Sequence, residues 1–206
     1  MKKRTRSITV LALAASALAG CAAMAPNYGE EAMALMKRDF HSRGQATLAR
    51  LDQDSLQSTC SALAGAHPSK ELTEKLEKEQ VATIKYPADG NVMGDWTKAE
   101  AIAQKGQGGQ WSDNPKNPSG GNCYACHQLT KKEISYGNIG PSLYQYGKTR
   151  GNTPDVRKYT YGKIYNSQAY VACSNMPRFG HNGILTEAQM KDLTAYLIDP
   201  NSPVNQ

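Results

Sequence analysis

The chain has 206 residues, of which 39% are hydrophobic and 20% are charged. This composition excludes a wholly disordered or fibrous protein and allows one or two globular domains. The net charge of +6 does not indicate nucleic-acid binding, because the first 20 residues carry four basic side chains and no acidic one.

Residues 1–20 are predicted to be a secretory signal peptide. Their basic start precedes an apolar run at residues 8–15, too short to span a bilayer, and small residues follow it. The sequence Leu-Ala-Gly-Cys at residues 18–21 resembles a bacterial lipobox, in which Cys21 would become a lipidated N-terminus. Ordinary cleavage near residue 19 or residue 25 is the alternative. We expect a periplasmic protein. It is anchored by a lipid if Cys21 is processed as a lipobox, and it is not anchored in this way if ordinary cleavage occurs.

Residues 26–93 are predicted to form a helical N-terminal extension. Apolar residues at helical spacing indicate a helix from Glu30 to Ala64 with a break near Gly44. Ser69 is the predicted N-cap of a polar helix from Lys70 to Gln80.

Residues 94–206 are predicted to form a second, also helical domain. A short helix is indicated from Thr97 to Lys105, and Thr186 is the predicted cap of a helix over Glu187 to Ile198. A long irregular stretch is predicted from Gln128 to Asn182, and strand-length alternation is absent from the sequence. Such long loops require a non-protein group to fill the core.

The sequence Cys123-Tyr124-Ala125-Cys126-His127 is the attachment motif of c-type haem. The thiols of Cys123 and Cys126 would each add to a haem vinyl group, and His127 would be the proximal iron ligand. A zinc site would need a second ligand pair at similar spacing, and a redox dithiol would need a βαβ frame. The sequence offers neither, and export agrees with haem attachment outside the cytoplasm. We therefore predict one covalently attached haem c.

The run Gly-Pro-Ser-Leu at residues 140–143 resembles the Gly-Pro-x-Leu loop of class I cytochromes c. In that class the proline carbonyl accepts the other ring N–H of the proximal histidine, a role that falls here on Pro141. The axial methionine of the class lies in a loop before the last helix, where this sequence has Met176. His181 is the alternative ligand. With His127 and Met176 both bound, the iron has no open position for a substrate, so the cofactor would transfer single electrons.

Cys60 and Cys173 lie outside the haem motif and the lipobox. In an oxidising periplasm a disulfide between them is predicted, with two free buried thiols as the alternative.

A group of basic side chains is predicted to lie near the haem edge. It forms either an ordinary solvated surface or a ring that steers an acidic partner. Its members are Lys131, Lys132, Lys148, Arg150, Arg157, Lys158, Lys163 and Arg178.

Three segments taken together resemble the monohaem SoxX subunit of the SoxAX sulfur-oxidation cytochromes: residues 121–127, 137–143 and 175–180. The final helix and the segment 44–60 are similar to the same family. The expected fold is therefore all-α: a class I cytochrome c domain at 94–206 preceded by the helical extension.

The resemblance implies a heterodimer with a SoxA-type cytochrome, which would hold the active site of an L-cysteine S-thiosulfotransferase complex. The complex would oxidatively couple thiosulfate to a cysteine of a SoxY carrier protein bound with SoxZ. This chain, with no catalytic residue of its own, would pass electrons to a small soluble cytochrome c. Two alternatives remain open: a free-standing periplasmic electron carrier, and a haem-based sensor or structural subunit in which Met176 can dissociate.

Overall fold

The computed structural model describes residues 28–206. The predicted signal peptide and Cys21 lie outside these described residues. Residue contacts divide the chain into two compact units, residues 1–41 and residues 42–206. The second unit joins residues 42–93 of the predicted extension to the predicted cytochrome domain. The sequence-based division into 26–93 and 94–206 stays a prediction.

Regular structure in the described part of the chain is helical. It contains no strand, and the only β-bridge there pairs Arg43 with Ala46. The all-α class is thereby confirmed. The first unit contributes helix α1, Tyr28–Asp39, in which no residue is buried.

Six further α-helices and five short 3-10 turns make up the second unit within the described residues. The helices are α2 Ser55–Ala62, α3 Lys70–Val81, α4 Ala99–Gln104, α5 Tyr146–Arg150, α6 Pro154–Tyr165 and α7 Glu187–Ile198. The 3-10 turns are Leu48–Leu51, Trp96–Lys98, Cys123–Ala125, Ser167–Ala169 and Pro203–Asn205.

Side-chain caps fix where several helices begin. The predicted caps are confirmed: the side chain of Ser69 accepts from the N–H of Leu72, and that of Thr186 accepts from the N–H of Gln189. Thr186 and Gln189 complete a reciprocal capping box. The predicted break near Gly44 is also confirmed, because α1 ends at Asp39, α2 begins only at Ser55, and Gly44 has a φ of +54° in the left-handed region that favours glycine.

Helix α6 lies inside the stretch that the sequence predicts to be irregular, so that prediction is wrong. Thr153 caps it by accepting from the N–H of Val156, and Pro154 occupies its first turn. Its buried side is made partly of Thr160, Tyr161 and Gly162 rather than of aliphatic residues alone. Because several of the buried positions hold polar or small residues, the spacing of the apolar residues alone does not reveal this helix.

The core lies where α7 packs against α4 and α6. Tyr161 and Tyr196 are fully buried there, and Met190 is 2% exposed. Met190 is therefore a core residue, as its place on the apolar side of α7 predicts. Helix α3 packs on the turn Ser167–Ala169, so the N-terminal part of this unit adjoins the segment that leads to Met176. No described helix is both long and apolar enough to cross a membrane.

Candidate haem site

The cysteine motif forms a tight turn attached to the end of α4. The N–H of Gly121 donates to the carbonyl of Ile102 at 2.9 Å, and the N–H of Asn122 donates to Lys105 at 3.0 Å. Asn122 then takes a left-handed conformation with φ of 46°, which starts the 3-10 turn Cys123–Ala125. The N–H of His127 donates to the carbonyl of Cys123 at 2.9 Å, so the turn brings the histidine back beside the first cysteine.

Both motif cysteines are free thiols and partly buried. Burial raises the pKa of the Cys123 thiol to about 12. The Cys123 side chain is therefore a neutral thiol at physiological pH. Two unbridged thiols on one turn are what two thioether bonds to a macrocycle require.

The imidazole of His127 is oriented by the loop that follows the motif. Its Nδ1 atom lies 2.7 Å from the carbonyl oxygen of Pro141. A carbonyl only accepts, so the proton is on Nδ1 and the lone pair of Nε2 is left free to bind a metal. Pro141 thus occupies the supporting position that the sequence predicts for it.

Two glycines let this loop approach the motif closely. The N–H of Gly137 donates to the carbonyl of Tyr124, and that of Gly140 to Cys126, both at 2.8 Å. A Cβ atom on Gly140 would overlap the His127 ring, and one on Gly137 would overlap the Ala125 carbonyl. The run 137–143 is recognisable in the sequence as a loop of this kind. Only the structure shows that its glycines are needed to make room for the His127 ring and the Ala125 carbonyl.

The residues present fit a covalently held haem c. The turn supplies two free thiols and one imidazole whose tautomer leaves Nε2 available. Nitrogen and thioether sulfur are ligands of haem iron in cytochromes. Cys123 packs against the buried core, as do the partly buried side chains of Leu143 and Ile184.

Met176 lies in the loop between the turn Ser167–Ala169 and α7. It is half-buried and packs against the core. Its backbone is fixed on both sides: the hydroxyl of Ser167 donates to its carbonyl at 2.5 Å, and its N–H donates to Ser174 Oγ at 3.2 Å. These placements support Met176 as the distal ligand, which stays a prediction.

The alternative ligand, His181, is exposed. Partial desolvation and the neighbouring charge of Arg178 lower the pKa of His181, against the opposing effect of the Asp54 carboxylate. A lowered pKa keeps the imidazole neutral, which a metal ligand must be. Burial against the core nevertheless distinguishes Met176 from this exposed side chain.

The disulfide between Cys60 and Cys173 is confirmed. Their Cα atoms are 5.4 Å apart although the residues are separated by 113 positions in the sequence. The bridge joins the last turn of α2 to the loop that carries Met176, so the alternative of two free thiols is wrong.

The predicted basic ring is only partly a surface feature. Arg178 is buried, with its residue 4% exposed, and its guanidinium pairs with the carboxylate of Asp54. Lys163 is half-buried, and its Nζ donates to the carbonyl of Ser167 at 3.0 Å. Desolvation lowers the pKa of this lysine. Arg178 is therefore not an exposed charge that could steer a partner, and that part of the prediction is wrong. The sequence does not show that Asp54, in the extension, is the carboxylate that pairs with it.

The tyrosines of the described residues divide between core and surface. Tyr124 and Tyr196 are buried, and their hydroxyl oxygens lie 3.4 Å apart behind the haem motif. Burial is the main cause that raises the pKa of Tyr196. The Tyr196 hydroxyl therefore stays protonated at physiological pH, and its ring packs with that of Tyr124 in the core. Tyr136 is exposed.

An all-helical fold with two thiols and an oriented imidazole on one turn defines a c-type cytochrome. Residues 113–199 match the cytochrome c family, so the chain carries a cytochrome c domain. The chain is also similar to an uncharacterized lipoprotein of Aquifex aeolicus (strain VF5), with 45% identity over 159 residues. That alignment covers 75% of this chain and 73% of the relative, so the similarity extends well beyond the haem-binding residues.

Proposed function

We propose that this cytochrome is the electron-transfer subunit of a SoxAX-type complex that oxidatively couples thiosulfate to a carrier-protein cysteine. One observation carries the proposal. The segments 44–60 and 175–180, in which the chain resembles SoxX, are joined in space by the Asp54–Arg178 ion pair, and the Cys60–Cys173 disulfide ties the first segment to the residues just before the second. A fixed extension of this kind favours a subunit of a stable assembly over a freely diffusing carrier.

The residues of this chain have distinct roles in the proposed electron transfer. Haem c supplies a one-electron iron couple when it is bound. Cys123 and Cys126 would hold the macrocycle covalently, and Pro141 orients His127 so that Nε2 can bind iron. The thioether of Met176 would favour the reduced state relative to a second imidazole. One haem c per chain agrees with the single attachment motif in the sequence.

The proposed reaction balances as an oxidation of two sulfur centres. The terminal sulfur of thiosulfate joins the cysteine sulfur of a SoxY-type carrier, bound with SoxZ, to form one S–S bond. Two electrons and the proton of the carrier thiol are released. The active site would lie on a SoxA-type partner, and this chain would receive the electrons singly and pass them to a small soluble cytochrome c.

We also propose a periplasmic location with a lipid anchor at Cys21. The relative from Aquifex aeolicus is named a lipoprotein, and this chain has the lipobox-like run at residues 18–21. An anchor would keep the complex at the membrane while the redox domain remains in the aqueous phase.

An optical reduction assay tests the proposed function. The oxidised protein is mixed with thiosulfate, first alone and then with the SoxA-type subunit and the SoxY–SoxZ carrier, while the haem spectrum is recorded. We expect reduction only in the complete mixture, and none when the carrier cysteine is replaced by serine. No reduction in the complete mixture, together with rapid reduction by unrelated small cytochromes, would instead indicate a free-standing electron carrier.

A further inference from the structure

We propose that Asp54 and Arg178 are positioning residues for the distal iron ligand, so that the N-terminal extension sets how firmly Met176 is held. The inference rests on the Met176 ligand of the proposed function, but it requires neither thiosulfate nor a partner protein. It concerns the loop of residues 171–181, which leads from the turn Ser167–Ala169 to α7.

The carboxylate of Asp54 makes two different contacts. Its Oδ1 accepts the N–H of Gln57 at 2.8 Å and so caps α2, while its Oδ2 accepts from Arg178 Nη2 at 2.6 Å. The Gln57 side chain accepts the N–H of Asp54 in return at 3.0 Å, which completes a capping box. The N-terminal turn of α2 and the ligand loop are thus joined through one carboxyl group.

Arg178 lies two residues after Met176, and its side chain is 5% exposed. A buried guanidinium is costly unless an anion compensates it, so removal of the partner leaves an unpaired charge in the interior. The intervening residue is Pro177, which restricts the backbone between the ligand and the arginine. A displacement of Arg178 would therefore be transmitted to Met176.

The Cys60–Cys173 disulfide is the second attachment, on the other side of the ligand. Cys173 is three residues before Met176, and Cys60 lies in the same helix, α2, that Asp54 caps. Leu56, in the first turn of α2, is 2% exposed and anchors the helix. One eight-residue helix, anchored in the interior by Leu56, consequently holds the loop on both sides of Met176.

Helix α3 adds a third contact from the extension. The side chain of Glu77 accepts the N–H of Ala172 at 3.1 Å, next to the disulfide. Asn166 Nδ2 donates to Gln80 Oε1 at 3.0 Å and to Thr83 Oγ1 at 2.9 Å. These bonds hold the chain before Met176. The bond between Arg178 and Asp54 is the contact with the extension that holds the chain after Met176.

The binding of imidazole by the ferric holoprotein tests this arrangement. Imidazole competes with a methionine for the iron, so its apparent affinity increases as the loop releases Met176 more readily. We expect Asp54→Asn and Asp54→Ser to bind imidazole about tenfold more tightly, because each removes the charge-assisted bond to Arg178. Asn and Ser are both good N-cap residues, so α2 keeps its cap and the variants remain folded.

Asp95→Asn is the matched control. Asp95 also caps a helical segment by accepting from the N–H of Thr97, and it pairs with Lys98. Its side chain is 45% exposed, against 41% for Asp54, but its partners are not on the ligand loop. We expect this variant to bind imidazole within about twofold of the wild type. An equal increase in Asp95→Asn and Asp54→Asn would indicate general loosening and would overturn the proposal.

Met176→Ala separates this proposal from the ligand assignment. If the alanine variant binds imidazole without competition while both Asp54 variants match the wild type, the positioning role is wrong and the ligand assignment stands. If the alanine variant retains a methionine-type spectrum, Met176 is not the ligand and the inference fails with it. Neither result depends on the thiosulfate reduction assay. A failure of the proposed SoxAX function can therefore be distinguished from a failure of the positioning role.

Discussion

The carbonyl oxygen of Pro141 accepts a hydrogen bond from Nδ1 of His127 at 2.7 Å. This contact fixes the tautomer and the direction of the imidazole. The neighbouring Gly140 makes it possible, because the His127 ring occupies the space that a Cβ atom would need.

Replacement of Gly140 by alanine is expected to displace the His127 ring and to impair incorporation of haem. The added methyl group would collide with the imidazole, and the backbone bond from Gly140 to Cys126 allows little retreat. The yield of covalently attached haem per protein measures the effect. Gly106→Ala is the control, since its nearest neighbour is the Asn122 side chain at 3.3 Å. Equal haem content in the two variants would contradict the steric role of Gly140.

Replacement of Met176 by alanine is expected to leave haem attached and to open the sixth coordination position. The ferrous variant should bind carbon monoxide, which the untreated wild-type protein should not, and its reduction potential should fall. Carbon monoxide binding by the wild type would favour the sensor alternative instead. His181→Ala is the parallel variant, and we expect its spectrum to be unchanged. A six-coordinate low-spin spectrum in Met176→Ala but not in His181→Ala would reverse the assignment.

Replacement of Cys60 by serine is expected to destabilise the fold by about 2–5 kcal/mol, as for removal of a native disulfide that closes a long loop. Haem attachment should be unaffected, because Cys60 lies outside the motif. Denaturant unfolding under oxidising conditions provides the measurement, and the wild type treated with a reductant should approach the variant. Two alkylatable thiols from Cys60 and Cys173 in the native wild-type protein would contradict the bridge.

Asp54 should make stability depend on pH in the acidic range. Its desolvation raises the pKa, but hydrogen bonds from the Gln57 N–H and from Arg178 outweigh this and hold the pKa below its ordinary value. A lowered folded-state pKa stabilises the protein above the unfolded value of about 3.9, and this contribution is lost as the pH falls through the folded value. Wild type should therefore exceed Asp54→Asn in unfolding free energy at pH 7, and the difference should disappear in strong acid. A constant difference across this range would exclude titration of Asp54 as its source.

Replacement of Cys21 by serine should release the protein from the membrane fraction if the lipobox is processed. The measurement is fractionation of cells that produce the wild type or the variant, with detection of covalent haem. Intact-mass analysis of the wild type checks for the acyl groups. A wild-type protein found wholly in the soluble fraction would refute the anchor and leave the cytochrome fold unaffected.

Much of the helical structure could be predicted because its signals are local. Ser69 and Thr186 begin their helices where the capping pattern indicates, and Met190 is in the core where its spacing places it. Helix α6 was missed because its buried side includes Tyr161 and Thr160, which do not register as a simple apolar stripe. The burial of Arg178 was missed because its partner, Asp54, is 124 residues away in sequence.

By itself the sequence determined the haem chemistry of this protein. Cys123, Cys126 and His127 lie within five consecutive residues, and their spacing alone predicts two thioether bonds and one adjacent iron ligand. Only the tertiary structure decided how the loop with Met176 is held, because Asp54, Cys60 and Glu77 reach it across long sequence separations. Such contacts depend on how α2 and α3 pack in the fold, and no local pattern of residues encodes that packing.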